Sequence, residues 1–137
     1  MKVFFDTNVI ISSLVTHGHA AEVFEHCISN HDCYTSQYVL CEMEEKLKEK
    51  IGYTEFEVKT AIDFLINNIE VINDYTALLE TVCRDADDDI LAAAVSVGAD
   101  CILTGDKDLL VLKSFKNINI VSPKRFWVLE KTHMKKN

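Results

Sequence analysis

The feature that most constrains this chain is its alternation of short apolar runs with longer stretches of helical periodicity. Residues 2–5 read as a strand, and Asp6, Thr7 and Asn8 behind them are turn and cap residue types, so a helix follows. Residues 19–29 read as a second helix, 33–35 as a short strand, and Ser36 as the N-cap of a helix running to about residue 50. Thr54 caps a further helix to about residue 67, with a strand at 69–72, a helix at 75–83 and a stronger helix at 87–97 closed by Gly98. Strands follow at 101–103 and 118–121, and Pro123 suits the first turn of a last helix carrying Phe126 and Trp127. Strands that alternate with helices favour an α/β fold with a central parallel sheet flanked by helices, whose ligands bind at the carboxyl ends of the strands.

The 137 residues suit one domain, 1–137, ending in a short basic tail from about residue 130. Four glycines and one proline leave little room for irregular structure. Cys27, Cys33, Cys41, Cys83 and Cys101 form an odd set without close pairs, which argues against a disulfide framework and for core filling in a reducing cytosol. The apolar stretch before Asp6 is too short for a signal peptide and no later run spans a bilayer, so a cytoplasmic protein without a membrane partner is expected.

The formal charge of −8 argues at first against a nucleic-acid partner. Its distribution reverses that view. Residues 1–105 hold 19 acids and 6 bases, a balance of −13, whereas residues 106–137 hold 3 acids and 8 bases, a balance of +5. Lys131, Lys135 and Lys136 read as a solvated tail, whereas Lys107, Lys124 and Arg125 lie beside strand ends or a helix start and are the candidates for phosphate contact.

Two of the expected strands end in acid: Asp6 follows the first, and Thr104, Gly105 and Asp106 follow the strand at 101–103. In a parallel sheet both carboxylates emerge at the same edge, although either one alone is equally well read as a helix cap. On the helix at 87–97, with Leu91 at zero, Ala94, Val95 and Gly98 fall at about −60°, +40° and −20° and define a buried stripe. Asp87 lies at about −40° on that wheel, inside the stripe, while Asp88 lies at about +60° and Asp89 at about +160°. A buried carboxylate is costly unless it is paired or bound to a cation. On the helix after Ser36, Val39, Leu40, Met43 and Leu47 share one arc with Glu42 at its border. Glu44, Glu45 and Glu49, mixed with Lys46, Lys48 and Lys50, read as a solvated face with helix ion pairs.

Asp6, Glu42, Asp87 and Asp106 thus converge from distant parts of the chain, and like charges held that close repel unless cations sit between them. Hard oxygen ligands favour Mg²⁺ or Mn²⁺. Zinc is disfavoured, because His17, His19, His26, His31 and His133 show no ligand spacing with each other or with the cysteines.

Asp6-Thr7-Asn8 after the first strand, Glu42 six residues after Ser36, the helix of Asp87, and the string Thr104-Gly105-Asp106-Lys107-Asp108-Leu109-Leu110 together resemble a PIN domain. The likeness spans about residues 3–127 and is closest to VapC-like toxins of toxin–antitoxin systems, in which a late strand and a Ser-Pro helix similar to residues 118–126 recur. The resemblance implies a three-layer α/β/α fold and metal-dependent RNA cleavage leaving a 5′-phosphate and a 3′-hydroxyl. It carries the catalytic and metal-binding acids onto Asp6, Glu42, Asp87 and Asp106, with Asn8, Thr104 and Asp108 as supporting polar residues. It further implies RNA as substrate, a small antitoxin protein as partner, and a homodimer in which Phe126 and Trp127 are the interface candidates. Relatives of this type carry Asp-Pro before the acidic helix, where this chain has Asp85-Ala86 and is one residue shorter. Asp88 therefore stays an alternative to Asp87, which the wheel and the spacing to Gly98 favour. The role, toxin or RNA processing, stays open. Two rival classes remain: a non-catalytic PIN-like module binding RNA or protein, and a Mg²⁺-dependent aspartate phosphotransfer domain. Asn8 stands where one phosphotransfer type needs a second Asp.

Overall fold

A computed structural model describes residues 1–78 and 85–136. The elements run β1 (Lys2–Phe5), α1 (Thr7–Val15), α2 (His19–Asn30), β2 (Asp32–Ser36), α3 (Gln37–Lys46) with a π-helical turn at Leu47–Ile51, α4 (Glu55–Asn68), β3 (Glu70–Ile72), α5 (Asp85–Val97), β4 (Cys101–Leu103), α6 (Lys107–Leu110), β5 (Ser114–Phe115), β6 (Ile118–Val121) and α7 (Pro123–Lys136). The sheet order is β3-β2-β1-β4-β6-β5, parallel throughout except for β5, which pairs antiparallel with β6 at the edge.

The central strands explain why helices cover both faces. Val3, Phe4, Phe5, Cys101, Ile102 and Leu103 are all fully buried, so β1 and β4 have no polar face to turn toward water. The order also fixes where a ligand can sit. From β1 the chain winds outward to β2 and β3, then crosses back to place β4 on the other side of β1. The carboxyl ends of β1 and β4 therefore flank the point where the winding reverses, which leaves a crevice there.

Helix ends follow the expected chemistry. Ser36 Oγ accepts from Val39 N at 3.2 Å, and Thr54 and Glu57 form a reciprocal capping box that satisfies two backbone donors, a device worth about 1 kcal/mol. Gly98 adopts φ +67°, where a side chain would be strained, and lets Ala99 N reach Ala94 O at 3.0 Å to close α5.

Four local expectations change. The helix at 75–83 is not formed at residues 73–78, which run irregularly, and residues 79–84, with Cys83, lie outside the described residues. Tyr75 donates its hydroxyl hydrogen to Asp89 Oδ1, a tertiary bond that holds this segment against α5. α5 itself starts at Asp85, not Asp87. Its buried surface is wider than a stripe, because residues 90–94 are all buried while Val95 is exposed. Ala92, Ala93 and Ala94 are small enough for neighbours to approach on several sides, so Leu91 and Ala94 lie in the expected buried stripe while Val95 and Gly98, also assigned to it, are exposed. The sequence reading also passed over α6 and β5, which are too short to show a period.

Cys27, Cys33 and Cys101 are core residues, and burial pushes the thiols of Cys33 and Cys101 up to about 12. Cys41 departs from that pattern by lying exposed on α3. Phe126 is fully buried, so its expected place in a dimer interface is replaced by one in the core, with Trp127 half-buried beside it. Among the described residues, no helix is long and apolar enough to cross a membrane.

Candidate active site

Strand register brings the first two acids together. Phe5 pairs with Leu103, and Asp6 N continues the ladder by donating to Leu103 O at 3.0 Å, so Asp6 and Thr104 leave the sheet side by side. Asp6 Oδ1 accepts from Thr7 N at 2.6 Å and caps α1, while Oδ2 accepts from Thr104 Oγ1 at 2.6 Å. Thr104 Oγ1 in turn accepts from Asp106 N at 2.9 Å, and Asp106 Oδ1 accepts from Asp108 N at 2.8 Å to cap α6. Both strand-end aspartates are thus helix caps as well as members of one hydrogen-bonded chain, with the fully buried Thr104 hydroxyl as its pin.

Asp6 is 4 % exposed and its carboxyl sits above the usual aspartate range. Burial is the main cause; the bonds from Thr104 and Thr7 pull the other way, and the neighbouring Glu42 and Asp106 carboxylates push it further up. Asp87 arrives from the first turns of α5 and is 3 % exposed, as the wheel required, whereas Asp88 and Asp89 are only partly buried. Carboxylate oxygens of Asp87, Asp106 and Asp108 lie within 4.8 Å of one another. Asp108, expected as a supporting residue, is therefore part of the acidic group itself.

Glu42 stands on α3 at the border of the group, within electrostatic reach of Asp6, and is about a third exposed. Lys46 lies one turn on, 3.8 Å from Glu42 Oε1, and donates to Asn8 Oδ1 at 3.3 Å. Reading Lys46 as part of a solvated face missed this bridge between α1 and α3. The four-residue spacing from Glu42 signals the ion pair, but the contact to Asn8 depends on packing of the two helices. Asn8 is exposed, and its amide oxygen is engaged by Lys46. Lys48 pairs with Glu44 on the exposed face, as expected.

Lys107 is exposed at the start of α6, next to Asp106. β6 lies beside β4, with Thr104 N donating to Val121 O at 3.1 Å, so the chain enters α7 at the same sheet edge as the acids. Lys124 and Arg125 are exposed in that first turn of α7.

The carboxyl edge of a parallel sheet, with buried acids after β1 and on α5 and a half-buried one in the loop after β4, defines an α/β protein with an acidic crevice at its switch point. Residues 2–108 match the PIN domain family, and the chain belongs to it. An uncharacterised protein of Methanocaldococcus jannaschii is 33% identical over 123 residues, covering 82% of this chain and 76% of that one. Among solved structures, VapBC2 of Rickettsia felis, bound to a DNA fragment from its promoter, superposes with a TM-score of 0.66 at 17% identity, covering 89% of this chain and 98% of that chain. VapC20 of Mycobacterium tuberculosis, a toxin that cleaves the sarcin-ricin loop, superposes with a TM-score of 0.61 at 18% identity, covering 85% and 98%. At these identities the likeness to VapC toxins is one of fold.

Proposed function

We propose that this chain is a metal-dependent endoribonuclease, acting in the cytoplasm as the toxin of a toxin–antitoxin pair. The observation that carries the reading is the convergence of Asp6, Asp87, Asp106 and Asp108, with Glu42 at the border, on one crevice. The donors are all carboxylate oxygens, two of the acids are almost wholly buried, and the Asp6 carboxyl is raised by burial first and by the neighbouring Glu42 and Asp106 charges after it, so the set fits a hard divalent cation. Asp6, Asp87 and Asp106 would hold Mg²⁺ or Mn²⁺, with Glu42 and Asp108 as further ligands or as groups that orient water. When bound, the ion polarises a phosphodiester and lowers the pKa of an attacking water.

The remaining work falls to the chain. Thr104 fixes one oxygen of Asp6 and the backbone of Asp106, so both carboxylates keep their aim. Glu42, near the solvent edge, is suited to hold a water by accepting its hydrogen. Lys107, Lys124 and Arg125, exposed at the same sheet edge, would bind backbone phosphates of the substrate. Family membership supports nuclease chemistry, the VapBC likeness supports an antitoxin partner, and the likeness to VapC20, a toxin that cleaves the sarcin-ricin loop, supports an RNA substrate.

The test is cleavage of single-stranded and structured RNA by the purified chain with Mg²⁺ or Mn²⁺, with product ends mapped. Cleavage that leaves 5′-phosphates and stops in excess EDTA is expected. RNA binding with no cleavage under any metal would reassign the chain as a binding module, and undiminished cleavage in EDTA would overturn the metal-dependent mechanism.

A further inference from the structure

A second group of ligating side chains gathers at the opposite end of the sheet. α7 leaves the carboxyl edge at Pro123 and runs back across the sheet, so that Glu130, about 10 Å along the helix, reaches the amino edge. There it meets His26 on α2 and His31 in front of β2. His26 Nε2 and His31 Nε2 lie 2.5 and 2.6 Å from the same atom, Glu130 Oε2. The carboxyl of Glu130 is pushed up by burial but pulled down more strongly by hydrogen bonds and charge from His31 and His26, and sits below its ordinary range.

The convergence depends on where α2 stops. Five residues apart on a continuous helix, the two rings would be turned about 140° from each other. α2 instead ends at Asn30, and His31 takes extended angles (φ −136°, ψ 165°) while its N–H bonds back to Cys27 O at 2.8 Å, which swings its ring toward Glu130. Aromatic walls then hold both rings: His26 packs edge-on against Trp127 at 4.8 Å, and His31 against the buried Phe126 at 5.8 Å. Each Nδ1 has its own neighbour, the Met1 amino nitrogen at 3.1 Å from His31 and the Asn30 side-chain nitrogen at 3.3 Å from His26. Without a metal both neighbours can donate to Nδ1 while Nε2–H faces Glu130; metal binding through Nε2 would move each ring proton to Nδ1, with the Met1 amine giving up a proton and the Asn30 amide turning its oxygen to the ring at the cost of its 2.9 Å bond to His26 O.

We propose that His26, His31 and Glu130 form a second metal site, distinct from the carboxylate crevice, for a borderline dication that prefers imidazole, with Zn²⁺ as its representative. Two neutral imidazole nitrogens and one carboxylate oxygen suit such an ion and give little to Mg²⁺, the reverse of the all-oxygen crevice. Metal–ligand bonds of about 2.0–2.1 Å at tetrahedral angles separate donors by about 3.3 Å, so Glu130 has only to withdraw by less than about 1 Å to admit the ion. The His26 side chain is 30% exposed, which leaves the fourth position to water. An ion here ties α7 to α2, and with α7 the helix start that carries Lys124 and Arg125.

The test uses the full chain, stripped of metal and held in excess Mg²⁺ so that hard-cation sites are filled, then titrated with Zn²⁺. Binding of one Zn²⁺ per chain is expected, retained in Asp87→Asn and weakened at least about 100-fold in His31→Gln and in Glu130→Gln. Co²⁺ added to the unaltered chain should shift or broaden the ring signals of His26 and His31 in NMR spectra, a readout that does not depend on how the variants fold. No Zn²⁺ binding in excess Mg²⁺, Zn²⁺ binding lost in Asp87→Asn but unchanged in His31→Gln, or Co²⁺ that leaves both rings unaffected would each overturn the site.

Discussion

Replacing Thr104 by valine removes the pin of the acidic crevice while preserving its shape. The hydroxyl donates to Asp6 Oδ2 at 2.6 Å and accepts from Asp106 N at 2.9 Å, and the residue is fully buried, so water cannot stand in. A hydrogen bond to a charged group contributes about 1.5–3 kcal/mol and a neutral one about 1 kcal/mol, so Thr104→Val should cost about 2.5–4 kcal/mol at neutral pH. Thr104→Ser keeps both bonds and loses one buried methyl, about 1 kcal/mol. Urea unfolding in EDTA measures both, and with a slope near 1.5 kcal/mol per molar the two midpoints should differ by about 1–2 M. The valine deficit should also depend on pH. Losing the Thr104 donor pushes the Asp6 carboxyl further up from its already raised position, so the folded variant holds that proton over a wider range than the unfolded chain. Its deficit is then smallest in acid, where Asp6 is protonated in both states, and grows as pH rises through the folded pKa. Equal destabilisation by valine and serine, or a deficit that does not change with pH, would refute the pin.

Three further outcomes are expected. Asp87→Asn should lower RNA cleavage at least about 100-fold, whereas Asp89→Asn, which weakens the bond from Tyr75, should cost about 1 kcal/mol of stability and little activity; an inactive Asp88→Asn beside an active Asp87→Asn would shift the assignment by one residue. Asp6→Asn without metal should be as stable as the parent or more so above the folded Asp6 pKa, because a raised carboxyl makes stability fall as pH rises above 3.8, and pH-dependent unfolding of the pair should converge in acid. Replacing Lys124 and Arg125 together by alanine should flatten the dependence of log affinity for single-stranded RNA on log salt by about 1.4, and an unchanged slope would move the phosphate path elsewhere.

What was legible in the sequence was whatever a short window encodes. Asp6 and Asp106 were found because each follows an apolar strand, and strand register does the rest: Phe5 opposite Leu103 puts their neighbours side by side. Asp87 was found because a helix turns by a fixed angle, even though Val95, used to define the same stripe, proved exposed. Three consecutive alanines bury several sides of α5 at once, and no wheel with a single stripe represents that. Lys46 on Asn8 and Tyr75 on Asp89 were illegible because each depends on how two elements dock. The histidines failed for a related reason. His26 and His31 lack ligand spacing on a helix, and they meet only because α2 ends between them and α7 delivers Glu130 from 99 residues beyond His31.

The order of elements also resolves the conflict between a net charge of −8 and the polyanionic substrate of the proposed function. All but three of the acids precede Asp106, and eight of the fourteen bases follow it. Because β4 and β6 are neighbours, the late basic segment does not trail away from the early acidic one. It folds back so that the start of α7 stands at the same sheet edge as Asp6 and Asp106. The long-range field that an approaching RNA meets is negative, and at physiological salt it is screened beyond about 8 Å. Within that distance the sign depends on whether the carboxylates are compensated. A divalent ion in the crevice would remove much of the local repulsion and leave Lys107, Lys124 and Arg125 to act on the phosphates. On the proposed function, RNA binding and metal binding are therefore coupled through charge alone, and each should strengthen the other even in a variant that cannot cleave.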